Sequence, residues 1–316
     1  FKRVPSQDVN IDIAPAEQPG ESDLVITAKR SRPWHLVATL DDTGSRATGR
    51  LQGGINFGLD NPLRLNDVLS IGYNHDVYHS TGHGTRGNSL SYAVPLGNWL
   101  FTTSLYDYKY HQTVEGSQQT FVSSGKSRTM DVTVQRLLRR TRQGKTALEL
   151  RVGKRQAHSF IEDSELLTQR RDVTTMELAL VQRQYLGRAQ LDLRLAHRRG
   201  VTWFGGQRDA VDRPAGSPTF QYGLNVLDVS LNLPFQVGRL PIQWTSAFRA
   251  QRGSDTLYAS EFIPIGGRSS VRGFAGEQTL AGEPGSNWRN ALTVPSGQLP
   301  AAASLGVACA SVRGPS

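Results

Sequence analysis

Ala189-Gln-Leu-Asp-Leu-Arg-Leu-Ala196 alternates without a break, with Ala189, Leu191, Leu193 and Leu195 in one set of places and Gln190, Asp192, Arg194 and Ala196 in the other. Successive side chains of a β-strand point to opposite faces, so this octapeptide makes a strand with one oily and one wet face. A helix, with its period of 3.6, would spread the same leucines and charges around its whole circumference.

The dyad continues in both directions. Upstream, Leu148, Leu150 and Val152 interleave with Glu149 and Arg151. Further back lie Leu69-Ile71-Tyr73, Leu51 to Phe57 and Trp34 to Leu40. Downstream, Leu227, Val229, Leu231 and Leu233 face away from Asp228, Ser230 and Asn232, and Ile242, Trp244 and Phe248 away from Gln243, Thr245 and Arg249. About a dozen such segments of roughly ten residues match the span a tilted strand needs to cross a bilayer. The wet faces carry Glu149, Arg151, Glu177, Asp192, Arg194, Asp228, Arg249 and Arg289. Charges of both signs on one face predict a hydrated lumen.

Connection lengths separate a membrane barrel from a soluble sandwich. Short turns at Pro95 to Asn98, Arg140 to Lys145, Leu186 to Arg188 and Pro234 to Pro241 alternate with long polar stretches at His75 to Asn88, Lys109 to Lys126, Gln156 to Arg171, Arg199 to Tyr222 and Gln251 to Ser286. Outer-membrane barrels have this rhythm, with tight turns on the periplasmic side and longer loops outside. The expected fold class is therefore all-β, an antiparallel transmembrane β-barrel. Hydrocarbon offers no partner to an unpaired amide, which is why a spanning sheet closes. Trp34, Tyr73, Tyr92, Trp99, Tyr185, Tyr222 and Trp288 sit near strand ends, where interfacial girdles form.

Composition agrees with an ordered chain that has a polar interior. Hydrophobic residues make up 37% of the 316, glycine is abundant, and the mean hydropathy of −0.40 comes without a disordered-type tract. No run approaches the ~20 apolar residues of a spanning helix. The lone Cys309 cannot close an internal disulfide. The net charge of +9 is scattered apart from Arg136 to Arg142, a pattern that speaks against a nucleic-acid footprint. The chain starts at Phe1, without methionine or signal peptide, and reads as a segment of a longer protein.

Residues 1–32 stand apart. Val9 to Ala14 and Leu24 to Lys29 predict a small hairpin around the Pro15 to Glu21 turn, and Arg32-Pro33 ends it. No Gly-x-Ser-x-Gly elbow, His-Glu-x-x-His or paired-carboxylate signature is present, so no catalytic residue, metal or cofactor is expected. Gly82 to Gly87 matches a dinucleotide fingerprint by letter but lacks a following helix. Gly125-Lys-Ser and Gly144-Lys-Thr lack the upstream glycine of a phosphate loop. His75, His79 and His83 are four apart in a stretch that disfavours helix.

One stretch lies apart from the alternation: Ile265-Gly-Gly-Arg-Ser-Ser-Val-Arg-Gly-Phe274, continuing through Glu277-Gln-Thr-Leu280. Its glycines permit sharp turns, and Val271 and Phe274 flank the permanent cation Arg272. With the strand rhythm, with Leu40-Asp-Asp-Thr-Gly-Ser-Arg-Ala-Thr-Gly49 and with Trp288-Arg-Asn290, this ordered set resembles the two-partner secretion transporters, the haemolysin-activator branch of the Omp85 superfamily. The likeness spans nearly the whole chain.

That resemblance implies an outer-membrane protein that secretes and activates a large partner exoprotein, not an enzyme. Its other partners would be outer-membrane lipid and, during insertion, the barrel-assembly machinery. Residues 1–32 then correspond to the end of a POTRA domain and 33–316 to twelve or thirteen of sixteen barrel strands, with the motif loop at about 251–286. A chain of that extent is expected to be impaired in closure and transport by itself. Val271, Arg272, Gly273 and Phe274 correspond to the family's loop motif, whose arginine pairs with an acid on a later strand. Ala308 stands at that acid's place, which leaves Asp192, Asp228 or Glu277 as candidate partners. The alternatives are a barrel-assembly insertase, an outer-membrane hydrolase and a passive porin.

Overall fold

The computed structural model describes residues 4, 6–15, 21–42, 44–45, 47–78, 82–116, 119–266, 280–294 and 304–312, the last of these as backbone. Val271, Arg272, Gly273, Phe274 and Glu277 lie outside the described residues.

Among the described residues there are eighteen strands: β1 Gln7–Pro15, β2 Ser22–Arg30, β3 Trp34–Asp41, β4 Gln52–Asp60, β5 Val68–Asp76, β6 His83–Leu96, β7 Trp99–Glu115, β8 Thr120–Thr141, β9 Gly144–Ile161, β10 Ser164–Glu165, β11 Arg171–Leu186, β12 Ala189–Val201, β13 Gly223–Val237, β14 Leu240–Gly253, β15 Ile263–Ile265, β16 Leu280–Gly282, β17 Gly285–Thr293 and β18 Ser304–Val312. The only helical pieces among the described residues are single 3-10 turns at Leu167–Gln169, Trp203–Gly205 and Ala259–Glu261.

β1 and β2 pair antiparallel as the expected N-terminal hairpin. Thirteen strands, from β3 to β18 without β10, β15 and β16, follow chain order as hydrogen-bonded neighbours in one large sheet. This up-and-down arrangement is what alternating tight turns and longer loops produce. The chain divides into two compact units, residues 1–132 with 157–170 and residues 133–156 with 171–316.

Two-residue turns close three of the hairpins. Leu96 pairs with Trp99, Leu186 with Ala189 and Val237 with Leu240, so the turns are Gly97-Asn98, Gly187-Arg188 and Gly238-Arg239. Their glycines have φ of 57°, 62° and 61°, and an added Cβ would touch nothing within 4 Å at any of them. Handedness, not crowding, requires glycine there. A fourth connection, residues 61–67, is fixed by Asp67. Its carboxylate accepts from the Leu63 and Leu65 amides, each at 3.1 Å, and from the Tyr92 hydroxyl at 2.9 Å. Burial pushes this carboxyl upward, but the Tyr92 and backbone hydrogen bonds outweigh it and hold the group below its ordinary range.

In both units the oily side of the sheet faces outward. Ile55, Ile71, Leu90 and Leu105 of the first unit are exposed, as are Leu148, Leu150, Leu178, Leu180 and Leu195 of the second, where Leu195 reaches 53%. Glu177, on the opposite face, is 2% exposed. A water-soluble sandwich has the reverse distribution, and lipid on the outer face accounts for this one.

Several expectations need correction. The strands are not uniformly about ten residues long: β7, β8 and β9 have 17, 22 and 18. At ~3.3 Å per residue β8 extends roughly 70 Å, far more than a ~30 Å hydrocarbon core requires. The stretches His75 to Asn88, Lys109 to Lys126 and Gln156 to Arg171, expected as loops, are therefore largely strand. They lose the oily face where they leave the bilayer, yet keep their ladder hydrogen bonds. Tyr222 does not join a girdle. Tyr92 serves the Asp67 turn, and Tyr222 is 1% exposed, whereas Trp34, Tyr73, Trp99, Tyr185 and Trp288 are exposed. His75 and His83 lie on β5 and β6, and His79 is outside the described residues.

Candidate functional site: the charged wall and the loop stem

The wet face of β11 to β14 carries a chain of ion pairs set up by strand register. On β12, Arg194 is aligned with Asp228 of β13, and Asp228 in turn with Arg249 of β14. On the other side, Arg198 is aligned with Glu177 of β11, and Asp192 with Arg183. Opposed residues bring their Cβ atoms to about 5 Å, close enough for long side chains to meet. Arg249 Nη1 donates to Asp228 Oδ1 at 3.1 Å, and Arg194 Nη1 lies 3.9 Å from Asp228 Oδ2. Arg194 Nη2 donates to Glu149 Oε1 at 3.0 Å and also to Glu177. Arg198 Nε donates to Glu177 Oε2 at 2.7 Å. The buried Glu177 thus accepts from two guanidinium groups, which offsets its desolvation.

This network reaches into the segment ahead of the motif loop. Arg198 Nη1 lies 3.4 Å from Glu261 Oε2, and Glu261 stands between β14 and the 267–279 stretch that holds Val271 to Phe274. The buried Gln251, near the end of β14, grips both arms of this connection by donating to the Glu261 and Glu283 carbonyls, each at 2.9 Å. The Leu257 amide donates to Glu283 Oε1 at 3.1 Å. Ile263 to Ile265 pair with Leu280 to Gly282, so β15 and β16 form the stem of the loop.

An apolar patch seats that stem. Ala179 and Ala196 oppose each other across β11 and β12, and Ala196 opposes Val226 on β13. Together with Tyr222, Leu224 and Leu257 they form a buried cluster, against which Val181 and Phe262 pack. Small alanines on the wall leave room for the larger Leu257 and Phe262 of the connection. Nearby, Phe220 and Tyr258 stack at 4.3 Å between centroids, and Arg171 lies over the Tyr258 ring at 4.9 Å. Burial and then the Glu261 charge push the Tyr222 phenol well above its ordinary range, so it stays neutral. Beside the stem is a cavity of about 610 Å³ lined by Arg198, Asp228, Arg249, Gln251, Glu261 and Asn287 among others.

Of the candidate partners for Arg272, Asp228 sits inside this network. Asp192 is engaged separately, accepting from Arg183 Nε at 2.5 Å and from Gln190 Nε2 at 2.7 Å. Sequence reasoning missed Arg198, Glu261 and the Tyr222-Leu257 patch. Arg198 lies on the wet register of β12 and was legible by extending the dyad. Glu261 and Leu257 carry no periodic signal.

A family model described as haemolysin secretion/activation protein ShlB/FhaC/HecB matches residues 20–310. The chain belongs to that family. Within the ShlB/FhaC/HecB family, it is 39% identical over 316 residues to the outer membrane transporter CdiB-2 of Burkholderia pseudomallei strain 1026b, covering all of this chain and 54% of that protein. The solved CdiB of Escherichia coli superposes with a TM-score of 0.85 at 26% identity, covering 96% of this chain and 55% of that one. BamA from Haemophilus ducreyi superposes with a TM-score of 0.54 at 12% identity over 97% of this chain and 63% of that one, a likeness of fold alone. The chain therefore spans about half the length of the curated relatives it matches. The fold class is an antiparallel outer-membrane β-barrel of the Omp85 type, and the setting is the bacterial outer membrane.

Proposed function

We propose that the protein to which this chain belongs is an outer-membrane transporter that secretes and activates a large partner exoprotein by two-partner secretion. The observation that carries this reading is membership of the ShlB/FhaC/HecB family over residues 20–310. In this reading residues 1–32 close a periplasmic POTRA domain that presents the unfolded exoprotein to the barrel. Residues 33–316 form the barrel wall, and the barrel-assembly machinery inserts it among outer-membrane lipids. No covalent chemistry and no cofactor enter the cycle.

The gating element in this proposal is Val271-Arg272-Gly273-Phe274, carried on the β15–β16 stem. The stem is held by the Arg198–Glu261 pair and by Gln251, while the loop beyond it shifts to let the exoprotein pass. Arg272 closes the path by pairing with Asp192, Asp228 or Glu277. Asp192 and Asp228 already have arginine partners, so capture by either exchanges one ion pair for another. An exchange of that kind has a small net free energy and makes the latch reversible.

The deciding experiment compares cells with and without the gene, both expressing the partner exoprotein. Loss of the gene should leave the exoprotein inside, and complementation should return it to the medium. Undiminished export without the gene would overturn the reading. An insertase would instead lower the general content of outer-membrane barrels. The TM-score of 0.85 to CdiB against 0.54 to BamA favours the secretion branch.

A further inference from the structure

The outward face of β5, β6 and β7 changes character row by row. Strand register aligns Ile71 with Leu90 and Leu105, then Tyr73 with Asn88 and Asp107, then His75 with Arg86 and Lys109. The first row is apolar and exposed, as lipid contact requires. Successive rows are two residues apart, so the basic row lies about 14 Å along the strands beyond the last oily one. It is on the side away from the tight Gly97-Asn98 turn, which in an outer-membrane barrel is the outer-leaflet side.

Arg86, Lys109 and, on β8, Lys126 are exposed. Arg86 and Lys109 stand directly opposite each other, an arrangement that is destabilising unless an anion lies between them. Asp107 is engaged, accepting from Arg128 Nε and Nη2, both at 3.1 Å, while Asp76, which shares the cavity lining, uses Oδ1 to accept from the Thr85 amide at 2.8 Å and to face His75 Nδ1 at 3.4 Å, and its Oδ2 has no hydrogen-bond partner among the described residues. Lys126 Nζ is held 5.2 Å over the Phe160 ring and within electrostatic reach of Glu165, whose carboxylate pairs with His158. These residues surround a cavity of about 410 Å³ whose lining includes His75, Arg86, Lys109, His111, Lys126 and Phe160.

We propose that Arg86, Lys109 and Lys126 form a docking site for the phosphate groups of an outer-leaflet lipid headgroup, whose acyl chains lie against the oily row Ile71-Leu90-Leu105. Arg86 offers a planar fork to a phosphate, and the two ammonium groups supply point charges on either side. Acyl chains below and phosphates above fit the two-part character of this face, which neither a free anion nor an acidic peptide would use in full. The proposal rests on the outer-membrane setting and is independent of what the barrel exports.

Native mass spectrometry of the full-length protein, folded in detergent and offered lipid A with both phosphates or lipid A stripped of them, tests the assignment. The phosphorylated lipid should be retained and the stripped lipid lost. Arg86→Gln with Lys109→Gln and Lys126→Gln should weaken retention by about fivefold for each charge removed. Heat-modifiable mobility reports folding, and if the triple variant does not fold, Arg86→Gln and Lys109→Gln read the same quantity singly. Arg86→Lys should keep part of the affinity. Equal retention of both lipids, or unchanged retention in the variants, would overturn the proposal. So would displacement of the lipid by millimolar inorganic phosphate, which would mark a site for the free anion.

Discussion

Arg198 of β12 reaches Glu261, sixty-three residues further along the chain, with Nη1 to Oε2 at 3.4 Å. This contact joins the barrel wall to the segment leading into Val271 to Phe274, and the guanidinium is itself held by Glu177. A change at Arg198 therefore acts on both the wall and the loop stem.

Arg198→Met should free the stem and leave Glu261 without its cationic partner, at a cost of about 2–3 kcal/mol. Hydrogen exchange should accelerate at the amides of residues 254–266 and much less on β4 and β5. Glu261→Gln keeps an acceptor and should cost about 1 kcal/mol. Unchanged exchange in the Arg198 variant would show that the pair does not hold the segment.

Arg272→Ala in the full-length protein should lower export by about tenfold, the worth of one charge-assisted hydrogen bond, while the barrel remains inserted. If Asp228 is the acid that captures Arg272, then Arg272→Asp combined with Asp228→Arg should recover part of the loss. Recovery with the corresponding Asp192 pair would locate the partner there. Full export from Arg272→Ala would remove the latch from the mechanism.

Asp67 makes the 61–67 turn sensitive to acid. Its carboxyl titrates lower in the folded protein than in the unfolded chain, so its stabilisation is complete above the unfolded value of about 4 and fades as pH falls through the folded value. Asp67→Asn should lower stability at neutral pH by about 1–2 kcal/mol. The parent and variant unfolding curves should converge as the pH falls through the folded value. A constant gap between them would mean that the charge is irrelevant to the turn.

Gly187→Ala meets no steric obstacle, yet it forces a Cβ into the left-handed region and should cost about 1 kcal/mol of stability, read as a lower urea midpoint. Gly187→Asn should lose less, because asparagine tolerates that region. Equal losses would point to something other than handedness.

The Ala189 to Ala196 dyad was enough to place oily and wet faces correctly, and the short-long rhythm was enough to order the strands. Strand ends were legible only where lipid imposes alternation. Beyond the bilayer both faces meet water, so β7, β8 and β9 continue through sequence that carries no period. For the same reason Tyr222 looked like an interfacial ring although it lies buried under the loop stem.

The sequence by itself determined the fold class, through the period of two and the alternation of short turns with long loops, the family, through an ordered set of motifs, and the side of the sheet on which Glu177, Arg194 and Asp228 lie, which follows from the period of two along one strand. The tertiary structure alone decided that Arg198 holds Glu261, that Ala179 and Ala196 seat Leu257 and Phe262, and that Arg86 opposes Lys109. Those pairings depend on register between strands and on the path of a loop. Neither quantity is local, so no pattern along the chain encodes it.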